Sequence, residues 1–279
     1  MSRRKVLRLL GVSCLLVLCF THATFAAKKY TLMAVFAHPD DEVSIGPLLA
    51  KYASEGHTVY LVIAGSGEQG VTPQSNIPAG DELGAARREE ARCAARNLGI
   101  REPFLLALRQ IGTPQTGATI AARLRELIDQ VKPDVLITFG PDGLTGHGHH
   151  IAVGNVVTRL FQQQALLGHR PRKLYYVAYP ESRFPDTRPP FGAVASGRVA
   201  ASETAPLGTV SDVFISTVVD AGRFLGQARE GMGCHKTQFD EQGLRVWYTR
   251  IAETLGGKVF LRLVLPSPRS RETDIFKGL

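Results

Sequence analysis

The sequence predicts an α/β fold: a Rossmann-like, mostly parallel sheet with helices on both faces. Short apolar runs alternate with helix-forming stretches of about a dozen residues as far as position 165. The apolar runs are continuous, which is typical of parallel strands buried on both faces. Strands and helices in this alternation form right-handed βαβ units, which place helices on both faces of one sheet.

Four apolar runs in the first half predict buried strands: residues 30–36, 58–63, 104–108 and 134–139. Helix-forming stretches lie between them at residues 43–54, 82–97 and 120–131, the last two ended by Gly99 and by Lys132-Pro133. Residues 71–80 form a loop, because Pro73 and Pro78 interrupt any regular element.

The second half is less regular. Residues 173–179 and 213–219 predict strands, 180–192 a proline-rich loop, and 224–231 and 241–255 helices. The pattern alone does not predict how these elements are arranged.

The first 26 residues predict an export signal. Four basic residues lie within the first eight positions, an apolar run covers 9–20, and Thr24-Phe25-Ala26 precedes a plausible cleavage point. The run is shorter than the roughly 20 residues of a membrane-spanning helix, although an uncleaved anchor is the alternative. We expect a periplasmic or extracellular protein without a membrane span after cleavage, whose residues 27–279 form the functional domain.

Charge and cysteine content narrow the class of protein. The formal net charge is +8, but residues 1–26 carry four basic and no acidic residues, which leaves 29 basic and 25 acidic residues, or +4. That balance gives no reason to expect a nucleic-acid partner. Only Cys93 and Cys234 remain after residue 26, and spacing alone does not show whether they pair.

A group of polar residues follows the first predicted strand: Ala37-His38-Pro39-Asp40-Asp41-Glu42. In an open α/β sheet, ligands bind at the carboxyl ends of the strands. Histidine and aspartate are zinc ligands, and a catalytic zinc takes three protein ligands and keeps one position open. The alternative is an ordinary helix start with acidic residues near its N-terminus.

A second group, His147-Gly148-His149-His150, follows the fourth predicted strand and therefore emerges at the same edge of a parallel sheet. Alone it could be a solvated loop or a surface metal scavenger. Together, the two groups predict a metal site. Zinc lowers the pKa of water to about 7 in known hydrolases, Asp40 can act as general base, and His147 can stabilise an oxyanion or protonate a leaving nitrogen. This chemistry fits amide hydrolysis.

At these residues the sequence resembles the PIG-L/LmbE-like family of zinc-dependent N-acetylglucosaminyl deacetylases. Residues 37–42 match its Ala-His-Pro-Asp-Asp-Glu motif, and residues 147–150 match its His-x-Asp-His motif except at one position. The resemblance implies a Rossmann-like fold and one zinc per chain, with Fe²⁺ as a possible substitute. It implies His38, Asp41 and His150 as metal ligands, Asp40 as the base and His147 as the acid or electrophilic histidine.

Weaker landmarks extend the resemblance to about Asp240. Glu68 lies in a Gly-Glu-x-Gly loop, Arg88 in a helix that ends at Leu98-Gly99, and His235 in a His-x-Thr-Gln element. We expect these three residues to contact substrate, although an ordinary surface charge or a structural histidine is the alternative for each.

One position departs from the family: His149 occupies the place of its usual aspartate. The predicted reaction is removal of an N-acetyl or similar acyl group from an amino sugar or its conjugate, a small-molecule or glycoconjugate substrate. The alternatives are a metal-dependent amidase acting on another small amide, and a catalytically impaired Rossmann-like binding module. The sequence does not predict the oligomeric state.

Overall fold

The computed structural model describes residues 28–184, 209–264 and 271–279. Its strands form one eight-stranded sheet in the order β3-β2-β1-β4-β5-β8-β7, with β6 paired to β5. The first five strands of that order are parallel, and β8 is antiparallel to both of its neighbours. Their bounds are β1 Thr31–Phe36, β2 Thr58–Gly65, β3 Phe104–Leu108, β4 Val135–Thr138, β5 Lys173–Pro180, β6 Thr209–Val210, β7 Thr217–Asp220 and β8 Lys258–Leu263.

Helices cover the sheet in two groups. The first and second helices pack on each other and on the sixth, whereas the third packs on the fifth. Their bounds are α1 Gly46–Ser54, α2 Asp81–Leu98, α3 Pro114–Val131, α4 Gly143–Gly146, α5 Gly148–Gln162, α6 Leu225–Met232 and α7 Glu241–Thr249, which continues as a π-helical segment, Arg250–Thr254. The mostly parallel α/β fold is confirmed. Within the described ranges, no helix has both the length and the apolar content of a membrane span.

The sheet order places the site. Strands β1 and β4 are hydrogen-bonded neighbours, but the chain runs from β1 to β2 and β3 on one side before it returns to β4 on the other. This reversal leaves a crevice at the carboxyl ends of the two strands, where open α/β sheets bind ligands. The segments that follow β1 and β4 therefore meet there.

Two boundaries differ from the prediction. The helix predicted from residue 43 begins at Gly46 after a 3-10 turn, because Ile45 has a non-helical backbone (φ −131°). The strand predicted over 213–219 is limited to Thr217–Asp220. Val213 and Phe214 lie in a 3-10 turn and are 83% and 63% exposed, so their apolar side chains do not mark a buried strand.

Some elements of the structure were not predicted, and two predictions lie wholly or partly outside the described residues. Helix α5 and strand β8 were not predicted. The loop predicted over 180–192 begins with a 3-10 turn at Glu181–Arg183, and its residues from 185 onward lie outside the described ranges. The predicted export signal also lies outside them.

Candidate metal and catalytic site

The turn after β1 holds the carboxylate of Asp41 in one orientation. Its Oδ2 accepts hydrogen bonds from the backbone N–H groups of Ala37, at 3.0 Å, and His38, at 2.7 Å. Burial alone would raise the pKa of Asp41, but the charges of His150 and His38 and hydrogen bonds from both hold that pKa well below its usual range. Asp41 is therefore an ionised carboxylate with Oδ1 free of the backbone.

His150, in the first turn of α5, faces this carboxylate. Its ring stacks on Phe139 with 4.1 Å between the centroids, and its Nδ1 lies 3.0 Å from the carbonyl oxygen of Gly143. A neutral ring that donates from Nδ1 to this carbonyl has a lone pair on Nε2, which lies 3.1 Å from Asp41 Oδ1. Two lone pairs at this separation require a proton or a cation between them.

His38 completes a set of three donors. Its Nδ1 lies 3.7 Å from Asp41 Oδ2, and one ligand atom from each of His38, Asp41 and His150 lies within 4.8 Å of the other two. Burial lowers the pKa of His38 to about 3 despite the nearby carboxylate of Asp41, so its ring offers a lone pair at neutral pH. Two imidazoles and one carboxylate are a donor set that fits zinc and several other divalent metals.

Asp40 lies beside this set and is held by an arginine that was not predicted to lie at the site. Arg87, on α2, donates from Nη2 to Asp40 Oδ2 at 3.0 Å and to the carbonyl oxygen of Pro39 at 2.7 Å. Burial raises the pKa of Asp40 to about 7, although the charge of Arg87 acts in the opposite direction. Asp40 itself has a left-handed backbone with φ of 99°.

The glycine-rich loop after β2 lies against the same guanidinium group. Arg87 Nη1 donates to the carbonyl oxygen of Gly67 at 2.9 Å. A Cβ at Gly67 would lie 2.2 Å from Arg87 Nη1, and one at Gly70 would lie 2.4 Å from it. Any other residue type would collide with the guanidinium, and Gly67 also has a positive φ of 64°. The glycines thus allow the loop to close over Arg87.

His147 and His149 lie on the other wall, at the start of α5. His147 is the N-cap of this helix, and its Nδ1 accepts a hydrogen bond from the backbone N–H of His149 at 3.1 Å. The Nδ1 of His149 lies 2.9 Å from Nε2 of His38. Burial lowers the pKa of His147 to about 4, so this ring is neutral at neutral pH.

A buried pair supports the turn from behind. Nε2 of His235 lies 2.5 Å from Glu42 Oε1, and Glu42 Oε2 accepts a hydrogen bond from the backbone N–H of Asp40 at 3.1 Å. Both side chains are buried, with 0% of His235 and 1% of Glu42 exposed. The preceding residue, Cys234, forms a disulfide bond with Cys93 of α2. The pairing that the sequence left open therefore occurs.

These groups enclose a cavity of about 660 Å³. The three expected metal ligands line it. So do Asp40, His147 and Glu68. Arg88 and His235 are not among the described residues that line the cavity, and their contact with substrate stays a prediction. Arg88 donates to the hydroxyl of Ser66 at 2.7 Å, and His235 is closed off against Glu42.

Gln238 lines the cavity in place of His235. It donates from Nε2 to the carbonyl oxygen of Gly70 at 3.1 Å, whereas Thr237 donates from its backbone N and its hydroxyl to Glu90, each at 2.7 Å. The His-x-Thr-Gln element therefore ties the glycine-rich loop to α2.

Known proteins resemble this chain in sequence. Residues 33–161 match the family model described as PIG-L, GlcNAc-PI de-N-acetylase. A relative in Nocardiopsis dassonvillei, 1D-myo-inositol 2-acetamido-2-deoxy-alpha-D-glucopyranoside deacetylase, is 32% identical over 88% of this chain and 100% of its own.

Two solved structures share the fold at lower identity. GalB, the 4-carboxy-2-hydroxymuconate hydratase of Pseudomonas putida, aligns with a TM-score of 0.60 and 17% identity over 85% of this chain and 97% of its own. N,N'-diacetylchitobiose deacetylase of Pyrococcus horikoshii aligns with a TM-score of 0.59 and 18% identity over 84% and 83%. The fold thus occurs with a hydratase as well as with deacetylases, so the reaction has to be argued from the site.

Proposed function

This chain belongs to the PIG-L family of de-N-acetylases, and on that premise we propose that it hydrolyses the amide bond of an N-acylated amino sugar or its conjugate. The observation that carries the proposal is the convergence of His38, Asp41 and His150 beside the carboxylate of Asp40 in one cavity. Three metal-type donors and a separate carboxylate are the groups that metal-assisted amide hydrolysis requires.

We assign His38, Asp41 and His150 as ligands of a single zinc ion, with Fe²⁺ as a possible substitute. A zinc ion held there supplies Lewis-acid chemistry and makes water a stronger acid. Backbone hydrogen bonds to Asp41 and the Gly143 carbonyl bond to His150 fix the directions of the donors before any metal binds.

Asp40 is the proposed general base. Arg87 donates a hydrogen bond to Oδ2, and the left-handed turn places the carboxylate in the cavity. The neighbouring Asp41 is a proposed metal ligand, which leaves Asp40 as the carboxylate that can accept a proton. The second oxygen, Oδ1, is then the atom that takes a proton from the attacking water. Because Glu42 and Arg87 hold the turn from two sides, Asp40 needs little reorganisation during the reaction.

His147 is the proposed electrophilic histidine. Its Nδ1 is occupied as the acceptor of the helix cap, so the neutral ring carries its proton on Nε2. From the cavity wall, this N–H can donate to the amide oxygen as negative charge develops there and can later pass its proton to the leaving nitrogen.

The proposed substrate is an acylated amino sugar that carries a further group. The relative in Nocardiopsis dassonvillei deacetylates a glucosaminide linked to inositol, and a cavity of about 660 Å³ has room for a conjugate of that size. Polar side chains on the wall, among them Glu68 and Gln238, can hydrogen-bond sugar hydroxyls.

The test is a measurement of acetate release by the zinc-loaded protein. The panel holds N-acetylglucosamine, acetylated chitobiose, 1D-myo-inositol 2-acetamido-2-deoxy-α-D-glucopyranoside and simple acetamides, and Asp40→Asn is the matched control. We expect turnover of at least one amino-sugar conjugate that the control loses. Release from acetamides alone would favour the small-amide alternative, and release from none would leave the binding module.

We also infer that the protein works outside the cytoplasm. The basic and apolar character of the first 26 residues supports this inference, as does the Cys93–Cys234 disulfide, since such bonds persist in oxidising compartments. Fractionation of expressing cells, followed by N-terminal sequencing, should find the chain outside the cytoplasm and shortened to begin at Ala27. Full-length chain in the cytoplasmic fraction would contradict it.

A further inference from the structure

His149 contacts the site through a second histidine. Its Nδ1 lies 2.9 Å from Nε2 of His38, and the two ring centroids are 5.1 Å apart. His149 is half-buried on the cavity wall, in the first turn of α5, immediately before His150. The contact joins His149 directly to an expected metal ligand.

The two nitrogens of His38 face different partners. Nδ1 faces the Asp41 carboxylate at 3.7 Å, whereas Nε2 faces His149. A neutral imidazole has one N–H and one lone pair. If the lone pair of His38 is on Nδ1, toward Asp41 and His150, then Nε2 carries the proton and donates it to Nδ1 of His149. The direction of the bond between the two histidines is then fixed.

A second metal arrangement has to be weighed against this one. Ligand atoms of His38, His147 and His149 also lie within 4.8 Å of one another. However, Nδ1 of His147 already accepts the backbone N–H of His149 and caps α5. In addition, the 2.9 Å between Nε2 of His38 and Nδ1 of His149 is a hydrogen-bond distance. The observed contacts therefore favour His149 as an outer partner over His149 as a ligand.

We propose that His149 is a positioning residue that orients the metal ligand His38 by accepting its Nε2–H. This proposal rests on the proposed metal-ligand role of His38. Outer partners of ligating histidines are usually carboxylates, carbonyls or water, and they raise the basicity of the ligand nitrogen. A neutral imidazole acceptor lacks the negative charge of a carboxylate and polarises His38 less. His149 therefore holds the His38 ring in place. An aspartate at position 149 would polarise His38 more, which is the reason to compare His149→Asp with the original chain.

The test is a zinc competition titration of the purified, metal-stripped chain against a chromophoric chelator. Mutation of such an outer partner typically costs about 10- to 100-fold in metal affinity. We expect His149→Phe to weaken zinc binding within that range, and His149→Asp to bind zinc at least as tightly as the original chain. Circular dichroism spectra should show that each variant keeps its fold.

His147→Asn is the discriminating control, because asparagine preserves the helix cap and removes the imidazole. Its zinc affinity should stay within about threefold of the original, below the loss that removal of an outer partner causes. An equal loss in His147→Asn and His149→Phe, or a second zinc equivalent that both variants lose, would show the three-histidine site and overturn the proposal. Equal affinity in His149→Phe and the original chain would also overturn it. If the original chain binds no zinc at all, the proposed function itself fails.

A Co²⁺ spectrum provides a readout independent of turnover. With His149 as an outer partner, the visible absorption of the Co²⁺-loaded chain should keep its intensity class in His149→Phe, because the number of ligands is unchanged. A change of coordination number in that variant would instead identify His149 as a ligand.

Discussion

Oδ1 of Asp41 lies 3.1 Å from Nε2 of His150, so the carboxylate that follows β1 meets the histidine that follows β4. When His150 is neutral, with its N–H on Nδ1, both atoms present lone pairs, and a proton or a cation between them is needed to satisfy both. A divalent cation resolves this conflict directly, and the prediction on metal content follows from it.

Asp41→Ala should abolish zinc binding, because it removes one of three ligands and also the acceptor of two backbone N–H groups. Inductively coupled plasma mass spectrometry should find about one zinc per original chain and less than about a tenth of that in the variant. The matched control is Asp220→Ala, at the exposed end of β7, which should keep its zinc. Stoichiometric zinc in Asp41→Ala would refute the ligand assignment.

Asp40→Asn should keep the metal but lose turnover. Asparagine has nearly the same shape, tolerates the left-handed backbone and cannot take a proton. We expect kcat to fall about 10²- to 10⁴-fold, the usual contribution of a general base, with zinc content unchanged. Steady-state kinetics measures the fall in kcat, and metal analysis measures the zinc content. An unchanged kcat would show that Asp40 is not the general base.

Arg87→Met should destabilise the fold by about 3–5 kcal/mol, because it removes a buried guanidinium and leaves Asp40, whose side chain is only 13% exposed, without its counter-charge. Urea unfolding measures the decrease in the free energy of unfolding. Arg88→Met, one residue away, is the matched control and should cost about 1 kcal/mol for its hydrogen bond to Ser66.

The double variant Arg87→Met with Asp40→Asn tests the same point. Since neither charge remains, it should be more stable than Arg87→Met alone. If Asp40→Asn lowers the free energy of unfolding of Arg87→Met further, the unpaired charge of Asp40 is not the cause of the destabilisation.

Replacing both cysteines by serine should lower the free energy of unfolding by about 2–5 kcal/mol, because the bond closes a long loop with a sequence separation of 141. The free energy of unfolding of the original chain and of the double-serine variant, each measured with and without reductant, checks this prediction. Reductant should destabilise the original chain to a similar extent and leave the double-serine variant unaffected. Equal stability of all four samples would show that the bond does not form.

The sequence predicted that the segments after β1 and β4 meet, because both follow buried apolar runs and parallel strands expose their carboxyl ends at one edge. Strand β8 escaped prediction because Lys258 and Arg262 break its apolar pattern, and its antiparallel partners, β5 and β7, are remote in sequence. Such pairing is specified by tertiary contact and not by local pattern.

Arg87 was not predicted to lie at the site. Sequence similarity drew attention to Arg88, yet Arg87 lies in register with the buried face of α2, which includes Leu83, Ala91, Ala94 and Leu98. Those positions recur at helical spacing, so the pattern contained the signal that Arg87 faces inward. The burial of His235 carried no comparable signal, because its partner Glu42 is 193 positions away.

The backbone of Asp40 limits how this site can be redesigned. Glycine, asparagine and aspartate tolerate a φ of 99°. Longer or β-branched residues would destabilise the fold by about 1–3 kcal/mol through backbone strain. A mutant library at position 40 therefore has three practical members, of which one has a carboxylate. An engineer who wants the base elsewhere in the cavity must rebuild the turn itself or introduce a carboxylate from the opposite wall.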